Sequence, residues 1–370
     1  MRHSTYLEVN LGHIGSNFEK IQELAPRAEI VPMVKSNAYG NGMVPIAQFL
    51  VRDCGVKKLG CGTLAEALHI TEECPDMKAD LIVYSDTELH DSDLRQAYLN
   101  LNITPVLAQP RDLELVLKDP TFKRMPLIVK LNTGMNRLGF TWEELEPFVP
   151  RLKERGIEHL MTHFARSSDV LKPGDKTHRQ MDEFNKVRTA LLEAGVEIRG
   201  TSVSNSGAIE QKFGVEETFV RPGLMLYGPP SVTDPISWNG AQCSRLVTKV
   251  LSSFHVKKGT PVGYGVNVTP KDGYMVVVPI GYGDGMFTYF SGTKLNVNGC
   301  DGYIFGRISM DVAYIFFDPE VSSKIKVDDR IEIWNHDNRV ITDIATQNKT
   351  IAYQLMCGIS SRIPRIYKVK

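Results

Sequence analysis

The apolar pattern of this chain predicts an α/β fold: a closed (β/α)8 barrel of the TIM type, followed by a smaller β-rich domain. Between about residues 30 and 228, eight short apolar or β-branched runs recur: IVPMVK, KKLGCG, DLIVYS, NITPVLA, MPLIVKLN, IEHLMTHF, VEIRGTSVS and TFVRPGLML. Amphipathic stretches of helical period separate them, which is the pattern of parallel βαβ units. Eight units over roughly two hundred residues suit a closed barrel better than an open sheet. No GxGxxG opens a helix after a strand, which argues against a doubly wound nucleotide fold. From Cys243 onward the pattern changes to short strands with little helix between them.

At 370 residues the chain exceeds what one hydrophobic core usually supports. The polar stretch SVTDPISWNGAQ separates the two patterns, giving a barrel over residues 8–235 and a β-rich domain over 236–370, with residues 1–7 packed on the latter. Among the crossover helices, TWEELEPFVPRLKERG starts at an N-cap, Thr141, with Glu144 three residues on, and closes at Gly156. The second domain reads as the strands RLVTKVLSSFHV, YMVVVPIGYG, KLNVNG, GYIFGRIS, VAYIFF and RIEIWN. Turns are expected at Asn298-Gly299 and Asp301-Gly302, and one helix at TIAYQLMCG.

Composition narrows the function. Hydrophobic residues make up 42% and charged residues 23%, an ordinary soluble balance. Lys plus Arg and Asp plus Glu stand at 43 each, so no excess of positive charge draws nucleic acid or an anionic membrane, and any anionic ligand must be held by a local site. The six cysteines show no CxxC or Cys/His spacing; they read as unpaired thiols of a reducing compartment, and no metal site is expected. The N-terminus lacks the apolar core of a secretory signal and no window reaches the length of a membrane span, so a cytoplasmic address is expected.

Barrels of this kind gather functional groups at the C-terminal ends of their strands. Lys35 ends the first run and is followed by small, turn-forming residues; a lysine so placed can hold an aldehyde cofactor as a Schiff base, the plain alternative being a solvated strand-end lysine. Lys130 and Arg137 end or follow the fifth run, His163 ends the sixth, Asn205 and Ser206 follow the seventh, and Arg221 and Gly223 lie at the eighth. The segments SVSNSGA and RPGL look like a phosphate cradle, since small residues let backbone N–H groups approach an anion and a helix start adds positive potential. Taken alone, they could equally be two polar turns.

The stretch VPMVKSNAYGNG resembles the cofactor-lysine signature of the alanine racemases, with Lys35 as the pyridoxal phosphate (PLP) lysine and Tyr39 four residues on. The likeness runs from YLEVNL to CGISSRIPRIY and is most specific at VKSNAYGNG, TGMNRLGF, SNSGA followed by RPGLMLYG, and GRISMD. It implies that Asn205, Ser206, Gly223, Leu224 and Tyr353 hold the cofactor phosphate. Arg221 would face the pyridine nitrogen; an arginine disfavours its protonation, which should suppress transamination and favour returning a proton to the same carbon.

Racemisation needs a base on each face of the substrate Cα. The resemblance gives these as Lys35 and, from the segment PVGYG, Tyr264, contributed by the partner subunit of a head-to-tail homodimer. A phenol in water ionises near pH 10, so such a base needs nearby positive charge, for which His163 and Arg221 are the expected source. Arg137 would position the substrate carboxylate, Lys130 stands at a position that can be carbamylated in the family, Tyr282 at the substrate entrance, and Met310 and Asp311 near the partner site.

There are three departures from the family pattern, none on a proton-transfer residue: Asn132 in place of an aspartate, Ser309 in place of a cysteine, and Asn41 in place of a histidine; Ser309 and the FARSSD segment near the pocket leave side-chain specificity open. The primary expectation is an alanine racemase supplying D-alanine for peptidoglycan. Rival readings are a broader serine/alanine racemase and a PLP-dependent decarboxylase of basic amino acids, the latter opposed by Tyr264. A PLP-carrier protein is opposed by the long β domain, and an aldolase barrel by the phosphate cradle with its arginine.

Overall fold

The structure is a computed structural model and describes residues 3–232 and 237–369. Strand β1 (Tyr6–Asn10) precedes the barrel. The barrel itself comprises β2 (Glu29–Ile30), β3 (Lys58–Thr63), β4 (Asp80–Asp86), β5 (Ile103–Leu107), β6 (Ile128–Lys130), β7 (His159–Met161), β8 (Thr201–Ser202) and β9 (Phe219–Val220). All pair in parallel, β3 through β8 in sequence order and β2 with β9. Two parallel bridges, Met33↔Gly60 and Asn205↔Arg221, join these sheets into a ring. The eight expected strands are therefore present, with regular pairing shorter than their apolar runs.

Helices cover the outside of the ring, and their starts follow from local chemistry. The helix Leu64–Glu73 carries a reciprocal cap between Thr63 and Glu66, and Asn10 caps Leu11–Leu24 by accepting the N–H of His13 at 3.2 Å. The expected helix over 141–156 has its Thr141–Glu144 cap but is interrupted: helical turns Trp142–Leu145 and Val149–Arg155 flank a 3-10 turn Glu146–Phe148. Pro147 and Pro150 account for the break, since neither can donate a helical N–H.

The remainder forms two sheets. In the first, β16 (Arg330–Trp334), β10 (Ser244–Lys249), β1 and β17 (Arg365–Lys368) stand in that order. The second orders β11 (Ser252–Val256), β12 (Gly273–Val278), β15 (Ala313–Phe317), β14 (Cys300–Phe305) and β13 (Lys294–Val297). Thr5 Oγ1, beside β1, contacts Thr248 Oγ1 at 2.8 Å and donates to the Pro279 carbonyl at 2.7 Å. The expected junction between residues 235 and 236 lies outside the described residues, as do residues 1 and 2.

Three readings of this half are corrected. RLVTKVLSSFHV is not one strand: its ends, β10 and β11, belong to different sheets. Asn298-Gly299 does form the two-residue turn of the β13–β14 hairpin, with both φ angles positive (51° and 78°), whereas Asp301-Gly302 lies within β14, where Gly302 leaves room for the Phe317 ring. A second helix, Asn338–Gln347, precedes the expected one at Ala352–Cys357.

Candidate active site

At the C-terminal ends of the barrel strands lies a cavity of about 500 Å3. Its wall brings together eleven of the residues singled out from sequence: Lys35, Tyr39, Lys130, Arg137, His163, Asn205, Ser206, Arg221, Gly223, Leu224 and Tyr353. They come from five of the eight strand ends and, for Tyr353, from the helix Ala352–Cys357. The four from PVGYG, GYGDG and GRISMD are elsewhere. Tyr264, 67% exposed, does not line the cavity, nor do Tyr282, Met310 or Asp311. The two segments that carry the last three do meet: Tyr282 N donates to the Ser309 carbonyl, Gly283 N to the Met310 carbonyl (both 3.0 Å), and Arg362 bridges Asp311 at 2.7 Å and Asp284 at 3.4 Å.

Lys35 does not directly end a regular strand. It opens a left-handed turn: Ser36, Asn37, Ala38 and Tyr39 have φ of 52°, 54°, 51° and 55°. Such a conformation costs roughly 1–2 kcal/mol per L-residue, so the surroundings must hold it. Glu66 accepts the N–H of Ser36 at 2.6 Å, and Asn37 Oδ1 accepts that of Met43 at 2.8 Å. Gly40, with φ of 80°, ends the turn where a Cβ would lie 1.9 Å from the Met356 carbonyl oxygen. Burial lowers the ionisation of the Lys35 amine below its ordinary value, Arg137 adds to this, and Glu66 opposes it.

Beneath the cavity, Arg221 is 3% exposed. Its Nη2 donates to the carbonyls of Thr162 at 2.6 Å and Val203 at 3.2 Å, while Nη1, equally buried, has no partner among the described residues. A buried guanidinium nitrogen left unpaired is costly, and a ring nitrogen would satisfy it. Burial together with the charges of Arg221 and Lys130 keeps His163 well below its usual ionisation, hence neutral. That agrees with Asn205 Nδ2 lying 3.4 Å from His163 Nε2, a contact in which the ring nitrogen accepts.

Lys130, 5% exposed, ends β6. Burial, then Arg137, Arg221 and Lys35, bring its ionisation down from 10.5 to about 8. On the far wall, Ser206 Oγ accepts the N–H groups of Gly223 at 2.9 Å and Met225 at 3.4 Å, tying the two last strand ends together. A Cβ on Gly223 would meet Tyr39 Oη at 2.2 Å, so glycine is what admits the tyrosine. Tyr39 packs at a tilt against Tyr227 and Tyr353, with ring centroids 4.9 and 5.8 Å away. Ser231 Oγ, also in the wall, is 3.5 Å from the Tyr353 hydroxyl.

Sequence reasoning passed over Tyr84, which lines the cavity with a buried hydroxyl that has no partner among the described residues. Burial pushes that phenol up to about 12, against the pull of Arg221. The signal was present: a hydroxyl near the end of DLIVYS, at the rim where functional groups gather. Ser167, which donates to Asn205 Oδ1 at 2.5 Å, belongs to the FARSSD segment expected near the pocket, but its own part there was not singled out.

A lysine amine with suppressed ionisation, an unpaired guanidinium nitrogen and a small-residue wall thus share one cavity, and this set fits a phosphorylated pyridine aldehyde. Among the described residues, no group of three His, Cys, Asp or Glu is placed to hold a metal, and no helix is long and apolar enough to cross a membrane.

Two family models match the chain: the alanine racemase N-terminal domain over residues 9–230 and the alanine racemase C-terminal domain over residues 243–367. An alanine racemase of Carboxydothermus hydrogenoformans is 33% identical, covering 98% of this chain and 99% of its own length; that of Halothermothrix orenii is 30% identical, covering 99% and 97%. The crystal structure of alanine racemase from Streptomyces lavendulae superposes with a TM-score of 0.87 at 25% identity, over 100% of this chain and 98% of that one. This chain therefore belongs to the alanine racemase family of PLP-dependent isomerases, built as a barrel followed by a β-rich domain.

Proposed function

We propose that the protein interconverts L- and D-alanine by a two-base mechanism, with PLP attached through Lys35. The observation that carries this reading is the Arg221 nitrogen that has no partner among the described residues, in the wall of the cavity that Lys35 lines. When bound, PLP withdraws electrons from the substrate Cα and so makes its proton removable.

The chain's own residues do the rest. Lys35 reaches one face of the Cα, and its suppressed ionisation makes a free amine more accessible near neutrality. Arg221, charged at any relevant pH, keeps the ring nitrogen unprotonated and limits how far charge spreads into the ring. Arg137, at the cavity wall, pairs with the substrate carboxylate. Lys130, crowded by three cations, would react as its neutral amine, the nitrogen adding to carbon dioxide and one N–H proton leaving to solvent; the resulting carbamate would replace a repelled positive charge with a negative one beside Arg137. Ser206, Asn205, Tyr353 and the backbone at Gly223 and Leu224 hold the phosphate, and Tyr39 packs beside it.

Tyr264 serves as the second base from a second copy of the chain. Its exposure, and its place on the β-rich half away from this chain's cavity, support a shared site in a homodimer. Tyr282, Met310 and Asp311, gathered around Arg362, then form the partner's contribution to the entrance. The division at 235/236, a cytoplasmic location consistent with six free cysteines, and supply of D-alanine to peptidoglycan complete the reading. A broader serine/alanine specificity remains the second reading, favoured by the small side chains of Ala165, Ser167 and Ser168 in the wall.

The test incubates the protein with PLP and each alanine enantiomer in D2O, following optical rotation and Cα deuterium. Loss of optical activity with deuterium gain is expected; exchange with optical purity retained removes the two-base reading. Lys35→Ala is expected to abolish covalent attachment of PLP. Tyr264→Phe should keep attachment and lose inversion in the direction that needs the phenol. Mixing the two variants should restore activity through heterodimers.

A further inference from the structure

We infer that Glu66 is the positioning residue for Lys35: its carboxylate ties the left-handed turn to the end of β3 and so sets where the lysine amine enters the cavity. This rests on the reading of Lys35 as the cofactor lysine.

Each carboxylate oxygen has its own task. Oε1 accepts the N–H of Ser36, the residue after Lys35, at 2.6 Å; Oε2 accepts the N–H of Gly62 at 2.7 Å and that of Thr63 at 3.4 Å. The backbone N–H of Glu66 in turn donates to Thr63 Oγ1 at 3.2 Å, the other half of the helix cap. A helix cap needs only the Thr63–Glu66 exchange. The reach to Ser36 and Gly62 is additional, and it joins the left-handed turn to the end of β3.

Packing places Lys35 within this clamp. A Cβ at Gly62 would lie 3.3 Å from Glu66 Oε2 and 3.4 Å from Lys35 Cβ, so the lysine stem, the carboxylate and the strand end occupy one small volume. Asn37 Oδ1 fastens the far side of the turn to Met43 N at 2.8 Å. Four successive left-handed residues do not hold themselves, and a lysine at the start of a relaxing turn would lose its aim. The Glu66 charge also favours the cationic form of the Lys35 amine, against burial and Arg137.

The experiment uses full-length apoprotein and two probes. Capture of pyridoxal 5′-phosphate is followed by visible absorbance, then by borohydride trapping and peptide mass spectrometry. Binding of 4′-deoxypyridoxine 5′-phosphate, which lacks the aldehyde, reports the cradle without Lys35. Glu66→Gln is nearly isosteric but sets an NH2 against the N–H donors on one side of the clamp. It is expected to slow capture by about tenfold or more while leaving the deoxy analogue's affinity unchanged. Glu66→Asp, which keeps the charge but cannot span both donors, is expected to slow capture in the same way and guards against a misfolded first variant. Thr63→Ala removes the cap hydroxyl but not the clamp; it should lower thermal stability and leave capture as in wild type. Capture by both Glu66 variants at the wild-type rate overturns the inference, and so does equal slowing by Thr63→Ala or a parallel loss of analogue binding. Wild-type protein that binds the analogue but is never trapped at Lys35 removes the cofactor-lysine reading itself.

Discussion

Arg221 Nη2 donates to the carbonyl of Thr162 at 2.6 Å, so the guanidinium is braced by the backbone leading out of β7 while its other terminal nitrogen has no partner among the described residues. Bracing of this kind fixes direction: the free nitrogen cannot turn away without breaking a buried hydrogen bond, at a cost of about 1–3 kcal/mol.

Arg221→Gln should therefore change which reaction occurs more than whether the cofactor binds. A neutral amide no longer opposes protonation of a ring nitrogen. The fraction of turnovers that end in pyruvate, the product of transamination, is expected to rise about tenfold, roughly a 1.4 kcal/mol shift in partitioning. Pyruvate coupled to lactate dehydrogenase gives the measurement, and an unchanged ratio would detach Arg221 from reaction choice.

Lys130 yields a pH prediction with a definite sign. Its folded-state ionisation, about 8, lies below the ordinary 10.5, so the unfolded chain holds the proton more tightly between those values and folding gains stability as pH rises through them. Below pH 8 the penalty is fully present. In buffer free of carbon dioxide, Lys130→Met should be the more stable protein at pH 7, by on the order of 3 kcal/mol at most, with the difference shrinking toward pH 10. Urea melts at several pH values read this directly. With 13C-bicarbonate, wild-type protein should show a carbamate carbon resonance that Lys130→Met lacks; no such signal would argue for an unmodified amine.

Much of the barrel was legible because its parallel strands are buried on both faces and so read as continuous apolar runs, VPMVK and DLIVYS among them. Site residues at the strand ends followed from position once those runs were found. What the sequence hid is non-local or conformational. Glu66 looks like an ordinary capping-box acid; only the fold reveals that its second oxygen reaches Ser36. Nothing in SNAY signals four left-handed residues, since Ser, Ala and Tyr have no local preference for them. The split of RLVTKVLSSFHV between two sheets is invisible to periodicity, because both halves are strand.

Gly40 gives a packing test. A methyl group there would lie 1.9 Å from the Met356 carbonyl oxygen and 3.2 Å from Cys357 Cα, and φ of 80° is itself unfavourable for alanine. Gly40→Ala must displace the helix Ala352–Cys357 that carries Tyr353. Destabilisation of about 3 kcal/mol or more is expected, with weakened binding of inorganic phosphate. A variant as stable as wild type would mean that this helix is loosely seated.

Ser36→Gly should have the opposite sign. Serine at φ of 52° bears the left-handed penalty of roughly 1–2 kcal/mol, whereas glycine bears none but loses about 0.5–1 kcal/mol to the freedom of the unfolded chain. The N–H that Glu66 accepts is retained, so the clamp survives. The net is a stabilisation of about 0.5–1 kcal/mol, visible as a higher urea midpoint at unchanged slope. Capture of PLP should nonetheless slow, because glycine lets the turn sample other conformations and widens the arc through which Lys35 points. Stabilisation with slower capture would identify strain retained for function. A lower midpoint would instead show that the left-handed turn is relaxed by its neighbours and stores nothing that glycine can release.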